Sequence, residues 1–591
     1  MRAHRISGVA LCLLSVLATA AVRAEEPWDA ISDKAALVVH VSSVDRATGN
    51  LNEMLAAIGP LAQLGGPALE NGLGEMFHLS GKLAAIDRGA PALAALFPMP
   101  SEPESVAFVV RTKDEAKLRR AVLGAGDGDK LDVEKRDDGF EKVSKGNTSW
   151  YFARHSDWVV YTSSEAVAKL MAPAATKDRP FAKLLDESTR QILASGDLAA
   201  VVNVAGLSDA FKTEINQARE QVLQQIQQAP DADLIAAGVD PAVTRDVLRS
   251  LVNGAFDAAF DVRLAVGRVN FSADGAAAEG LVTVKPGSPA ADLLAAHPPS
   301  AFDALGLLPG GAPAYYGVHF NYSQFAEWGG KLMEKLIKDK NDLTNQMRDS
   351  LAQLTKAGVG QLVAGFSFPA DAKSGMIVSM LVQAKDVAAA RAAFHAYQKF
   401  SESFGGNPMF KQATEYKQKV ETYKNRPVDI QTTRFKFDPG ENADLAILDG
   451  FFKRFLGEDG LQTRITDLEG VLIEVTGNDP KYLARVVDGL ESGDGVLGLN
   501  EAFAKTRDKL GKEANFIALL NLPQFIVDAV KAFRDIPPLD MVLGQLPFNF
   551  DAAPAASFGG ISIGTQPTGL RIHLYVPVSQ PKGVLSIFGQ G

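Results

Sequence analysis

The chain has 591 residues, with 60 Lys+Arg against 70 Asp+Glu, one Cys and eight His. It is too apolar, at 46% hydrophobic, for a disordered chain, and its net charge of −10 argues against a protein built to coat nucleic acid. A single cysteine excludes an intramolecular disulfide, a Cys-based zinc site and an iron–sulfur site.

Residues 1–24 read as a secretory signal peptide. Arg2 and Arg5 make a positive start, and Gly8 to Val22 is uncharged and mostly apolar, too short for a bilayer span. Ala18-Thr19-Ala20 and Val22-Arg23-Ala24 are both cleavage sequences. The cut is placed after Ala24, because Glu25-Glu26-Pro27 opens a new composition. Cys12 follows Leu11 rather than a small residue, so lipidation is not expected and the mature chain is cysteine-free. Removing Arg2, Arg5 and Arg23 leaves 57 basic and 70 acidic residues, a charge of −13. No later run is long and apolar enough to span a membrane; Leu362 to Val382 is broken by Asp371 and Lys373. The expected location is the periplasm or the exterior.

The mature chain repeats an order of elements. Ala36 to Val41 matches Ala314 to Phe320, each an opening strand. Val109 to Val122 matches Leu381 to Phe394 at an offset of 272, read as a strand turning at Lys-Asp into a helix. Asp114 and Asp386 stand where a helix start favours an acidic side chain. Trp158 to Thr162 and Val471 to Thr476 are strands, followed by helices from Ser164 and from Asp479. Phe181-Ala182-Lys183 recurs as Phe503-Ala504-Lys505. Ala199 to Val204 recurs as Phe516 to Leu522, and each half closes on a hairpin, Val269 to Val284 and Ile561 to Leu574. Two related halves follow, 25–300 and 301–591, joined through a turn-rich stretch from His297 to Gly311. The apolar stripes Leu207, Phe211, Ile215, Val222, Ile226 and Phe325 through Leu354 predict amphipathic helices packed on a sheet. Helices alternating with hairpins predict an α+β fold with antiparallel sheets.

Local motifs for chemistry are sparse. Gly560-Ile561-Ser562-Ile563-Gly564 has the spelling of a nucleophile elbow, but Ser562 alternates with Ile561 and Ile563, which predicts a serine on the open face of a strand. No two histidines form a local ligand pair, and no phosphate-binding or dinucleotide-binding glycine motif is present. No cofactor or metal is expected. Asp127-Gly128-Asp129 and Asp137-Asp138-Gly139 lack calcium-loop spacing and read as acidic turns. His40, Asn203, His319 and Asn521 fall at similar places near strand ends. They are read as polar groups satisfied locally, with a set of related sites as the alternative.

One segment runs against the acidic balance. Near 405–460 the second half holds about 40 residues more than the first. Phe410 to Phe437 carries Lys411, Lys417, Lys419, Lys424, Arg426, Arg434 and Lys436 among five aromatic residues, a local charge of +4. It reads as a solvated helix and hairpin with buried aromatics. The functional alternative is a docking surface for an anionic envelope component or membrane face, with Lys411, Lys417, Lys419, Lys424 and Arg426 as the contacts.

The signal peptide, Ala35-Ala36-Leu37-Val38-Val39-His40-Val41, the run Val159 to Leu170 and the closing hairpins resemble exported bacterial α+β proteins of a domain-of-unknown-function family. The resemblance implies no catalytic residues. The expectation is a non-enzymatic envelope binding or scaffold protein, partnered by an envelope protein or a lipid and not by nucleic acid. A carrier of an apolar, lipid-like ligand is the alternative, and an envelope hydrolase ranks third.

Overall fold

The structure is a computed structural model. It describes residues 26–59, 62–79, 81–99, 105–230, 241–324, 342–368, 376–403, 410–437, 455–457, 460–533 and 556–588. The signal segment and Cys12 lie outside the described residues. The architecture is α+β. One compact unit takes the chain up to Ala47 and from Ala68 to Val202; a second takes Thr48–Pro67 and Asn203 onward.

The first unit holds one antiparallel sheet. Its strands are β1 (Leu37–Val41), β2 (Ala92–Leu96), β3 (Val106–Val110), β4 (Asp132–Lys135), β5 (Glu141–Lys145), β6 (Thr148–His155), β7 (Trp158–Thr162) and β8 (Leu198–Val202). They pair in the order β8-β1-β2-β3-β7-β6-β5-β4. Helix α1 (Glu115–Val122) follows β3, with the Asp114 carboxylate accepting from the Lys117 amide at 2.9 Å. That capping bond is the reason the Lys-Asp turn starts a helix. Helix α2 (Glu165–Leu170) is capped in the same way by Ser164.

The second unit begins its sheet with β9 (Val262–Ser272) and β10 (Gly275–Val284). It continues with β11 (Ala314–His319), β12 (Val359–Ser367), β13 (Ile377–Ala384), β14 (Phe410–Tyr423), β15 (Arg426–Phe437), β16 (Leu461–Leu468), β17 (Val471–Thr476), β18 (Phe516–Leu520), β19 (Gly559–Gln566) and β20 (Gly569–Pro577). Among the described residues its twelve strands pair antiparallel as β9-β10-β20-β19-β18-β11-β12-β13-β17-β16-β15-β14. The stretch from β18 to β14 repeats the first unit's order, strand for strand. The register repeats too. The row Ala200–Val39–Ala94–Phe108–Tyr161–Phe152–Glu141 crosses the first sheet. The row Ala518–Tyr316–Ala364–Met380–Glu474–Ile465–Asp429 crosses the second at the corresponding positions. The hairpin β9–β10 precedes residue 300 in sequence, yet it pairs with β20 inside the second unit, around the opposed residues Glu279 and His573.

Helices α3 (Lys212–Gln228), α4 (Pro241–Asp261), α5 (Asp342–Ala357), α6 (Val387–Ser403), α7 (Lys481–Ser492) and α8 (Leu522–Phe533) belong to this unit. One sheet face is closed by α7 and neighbouring turns, where Tyr315, Ile517, Leu519, Ile473, Val475, Tyr482 and Val486 form a dry core. Asp386 caps α6 through the Ala389 amide at 3.0 Å, as Asp114 caps α1. The stripe along α3 does not pack on the sheet as its spacing predicted. No residue of α3 is buried, and it lies against α4. In a helix this polar, helix pairing shields the thin apolar stripe at lower cost than sheet burial. The Trp328, Leu332 and Leu336 positions lie outside the described residues.

Candidate functional site

The face of the second sheet opposite the α7 core is different in kind. Strands alternate their side chains, so hydrogen-bonded rows of every second residue share a face. Across the seven strands from β9 to β12, the middle row runs from Val269 through Leu574, Ala518 and Tyr316 to Ala364. Parallel rows run from Phe271 to Phe366 and from Gly267 to Leu362. These 21 positions carry no charged side chain, and the Tyr316 hydroxyl is their only side-chain polar atom. Only Ala364 among them is buried. Leu574 is 42% exposed, Tyr316 39% and Leu520 37%. At strand spacing of about 4.8 Å the floor is about 29 Å wide and about 14 Å deep, on the order of 400 Å².

Past β12 the same face passes under α6. Met380 and Val382 pack there with Ala390, Leu472 and Ile465. The middle row then reaches Glu474, whose Oε1 is sealed from solvent without a hydrogen-bond partner. The residue as a whole is only half-buried, but burial of the carboxyl pushes its pKa up to about 7. Beyond it, Asp429 is 2% exposed. It accepts from the Tyr416 hydroxyl at 2.7 Å and from the Lys419 amide at 2.9 Å. Arg391 of α6 bridges Asp467 at 2.6 Å and Asp429 at 3.5 Å. The His395 ring stacks on Tyr416 at 4.3 Å. Burial, then the hydrogen bond to Asp429, hold the Tyr416 hydroxyl well above its ordinary range. A cavity of about 320 Å³ opens beside Arg391, His395, Tyr416, Gln418 and Asp467.

In the first unit the same place is filled by aromatic packing. Phe108, Tyr161 and Phe152 occupy the positions of Met380, Glu474 and Ile465. They interlock with Trp150, Phe77 and His78 at centroid separations of 5.0 to 6.4 Å. Tyr161 donates to the Phe77 carbonyl at 2.8 Å, so its buried hydroxyl is satisfied. Arg119 bridges Glu141 at 2.7 Å, the counterpart of Arg391 with Asp429. The ion pair persists in the second unit while the aromatic packing and the satisfied hydroxyl are gone.

The basic segment is the hairpin β14–β15 itself, lengthened from the short β4–β5 hairpin of the first unit. Its aromatic residues are only partly consistent with burial, since Tyr416 and Tyr423 are half-buried. Several of its charges have partners on the chain's own surface. Lys417 bridges Glu415 at 2.8 Å. Lys424 bridges Asp488 at 2.7 Å and Glu491 at 2.8 Å, which holds its ammonium above the ordinary lysine range. Arg426 bridges Glu491 at 3.4 Å. Lys419 is exposed, at a bulge where its φ is 52°. The Lys411 side chain lies outside the described residues. Of the four whose side chains are described, Lys417, Lys424 and Arg426 thus have carboxylate partners within the chain.

Ser562 is not on an open face. It lies on the packed side of β19, 1% exposed, and donates to the Leu510 carbonyl, because Ile561 and Ile563 take the apolar floor instead. Asn203 and Asn521 share a job: each side chain accepts an amide at the start of the following helix. His40 and His319 do not share a register position. Gly317 occupies the place of His40 in the matched rows, and His319 bonds the Gly360 carbonyl at 2.7 Å through Nδ1. Burial pushes His40 down to about 4, and its Nδ1 has no partner. A cleft of about 870 Å³ is lined by polar and apolar groups together, among them Asp274, Lys505, Asp508, Phe558 and Val578. Among the described residues no three His, Cys, Asp or Glu side chains are placed to hold a metal, and no helix is long and apolar enough to cross a membrane.

No family model matches the chain, and no curated protein matches it. A solved structure, crystal form III of TP0453, is similar at 8% identity over 46% of this chain and 86% of that one, with a TM-score of 0.23. A likeness that slight carries no argument about what this chain does.

Proposed function

We propose that the chain is an exported, non-enzymatic binding protein of the bacterial envelope, built from two copies of one α+β unit, with its working surface on the second copy. The observation that carries this reading is the uncharged floor of 21 positions, 20 of them partly or well exposed. A patch on the order of 400 Å² is of the size of the largest apolar patch on a typical monomer, and such patches are often functional. Among the described residues the first unit has no counterpart of β9, β10, β19 and β20, so the broad floor is particular to the second. The repeated order, register and Arg–carboxylate pair support descent of both halves from one unit. The export signal supports an envelope location.

An environment-sensitive apolar dye tests the reading. Its fluorescence is expected to rise on the full mature chain and to fall several-fold in Leu574→Lys, on the floor. Leu499→Lys, 69% exposed and off the floor, is expected to leave it unchanged. An equal response in all three proteins would remove the floor as the working surface.

A further inference from the structure

Resting on the two-copy part of that reading, and not on what the floor binds, we infer that the pairing of β10 with β20 is an internalised two-fold dimer interface. The partner that the β20 edge fits when this joint opens is then a second copy of the chain. Each half closes on a hairpin with a two-residue turn, Ala273-Asp274 in β9–β10 and Pro567-Thr568 in β19–β20. An offset of 294 residues carries Gly275 to Gly569, Val282 to Val576 and Val284 to Val578. It also carries the β9–β10 pairs, from Ser272 with Gly275 to Val266 with Leu281, onto the β19–β20 pairs from Gln566 with Gly569 to Gly560 with Tyr575. The same offset makes the β10–β20 register symmetric about one point. Glu279 is paired with His573, its own counterpart, and the pair Gly275–Pro577 mirrors the pair Thr283–Gly569.

The contacts across the joint come in matching pairs. The Val284 amide donates to the Thr568 carbonyl at 2.9 Å, and the Val578 amide donates to the Asp274 carbonyl at 3.0 Å. A Cβ on Gly569 would lie 2.5 Å from the Val282 carbonyl oxygen, and one on Gly275 would strike the Val576 carbonyl oxygen. Each hairpin therefore needs glycine where the backbone of the other crosses it. One contact used twice is the mark of an isologous interface, in which residue i meets j and j meets i. A β20 edge laid on β20 of a second copy reproduces it, with Gly569 again under a Val576 carbonyl and His573 facing His573. Charge favours the joint closed within one chain. Glu279 is bridged by Arg268 at 2.5 Å and by Arg571 at 3.2 Å, whereas two β10 strands would set Glu279 against Glu279.

The test uses the full mature chain, in which introduced cysteines are the only ones because Cys12 lies in the signal segment. Opposed Cα atoms in an antiparallel pair lie about 4.5 to 5.5 Å apart, within reach of a disulfide. Glu279→Cys combined with His573→Cys should therefore form an intrachain disulfide on oxidation in buffer, which shows the joint closed in the folded variant. His573→Cys alone is then concentrated at the lowest urea at which the double variant stops forming that disulfide, returned to buffer and oxidised. The expected result on a non-reducing gel is a disulfide-linked dimer of His573→Cys and none of Val576→Cys. Val576 is the more exposed of the two, but it lies off the axis and would face Leu570 of a second copy rather than itself. A missing dimer of His573→Cys, or as much dimer of Val576→Cys, overturns the inference. The two levels part cleanly. A missing His573→Cys dimer refutes the joint and leaves the floor standing, whereas an equal dye response in all three proteins of the floor test refutes the floor and leaves the joint.

Discussion

Glu474 offers a quantitative test of the site at the end of the floor. Its counterpart Tyr161 is buried and hydrogen-bonded, whereas the Glu474 Oε1 is buried and unpartnered. Burial raises the carboxyl from 4.5 to about 7. In the unfolded chain the proton leaves near 4.5, and in the folded chain it stays until about 7. Between those values the folded state binds more protons, so stability falls as pH rises and flattens above 7. The contribution is fully present below the unfolded value and lost through the folded one. At about 1.4 kcal/mol per pH unit, the loss is about 3 kcal/mol. Glu474→Gln removes the titrating group. Relative to wild type, the variant should gain about 3 kcal/mol between pH 4 and pH 8. Urea unfolding at both pH values measures this, and peptide-resolved hydrogen exchange over 461–476 locates it. A difference between the two proteins that does not change with pH would refute the account of Glu474 as a buried, unpaired acid.

Other outcomes follow from the same geometry. Arg391→Ala leaves Asp429 buried without its guanidinium and should cost about 3 kcal/mol in unfolding free energy, with Arg391→Lys recovering part of it. Tyr161→Phe removes one buried hydrogen bond in the first unit, and a loss of about 1 kcal/mol is expected by denaturant titration. Asn521→Ala removes a helix cap, which should raise hydrogen exchange at the start of α8 by an amount equivalent to about 1 kcal/mol. Neutralising Lys417, Lys419 and Lys424 together should leave sedimentation with anionic liposomes unchanged, since two of the three already face carboxylates of the chain.

Much of the architecture was legible because it rests on local rules. The Lys-Asp turns before α1 and α6 announced strand, cap and helix in both halves, and the 272-residue offset turned out to preserve sheet register as well. The closing hairpins were plain from their alternation. Their pairing through β10 and β20 was not, since nothing local says which edge a strand will choose. The floor was hidden for a related reason. Its residues come from seven strands spread between Gly267 and Val576, and each strand alone reads as ordinary half-buried alternation. Only the registers bring the uncharged positions onto one face. Glu474 stood inside a strand noticed only for its apolar neighbours. Comparison with Tyr161 was the available signal, one strand-match away. The basic hairpin was legible only in part. Local charge was visible, but Asp488 and Glu491, which hold Lys424, lie more than 60 residues along the chain.

The central claim is that the second sheet's open face is where the protein meets its ligand. Site-specific photo-cross-linking tests it most directly, with a photoreactive phenylalanine analogue placed at Leu574 or at Leu499 and irradiated in the intact producing cell. A cross-linked product from position 574 and none from position 499 is predicted. Equal products from both positions, or a product from 499 alone, would contradict it.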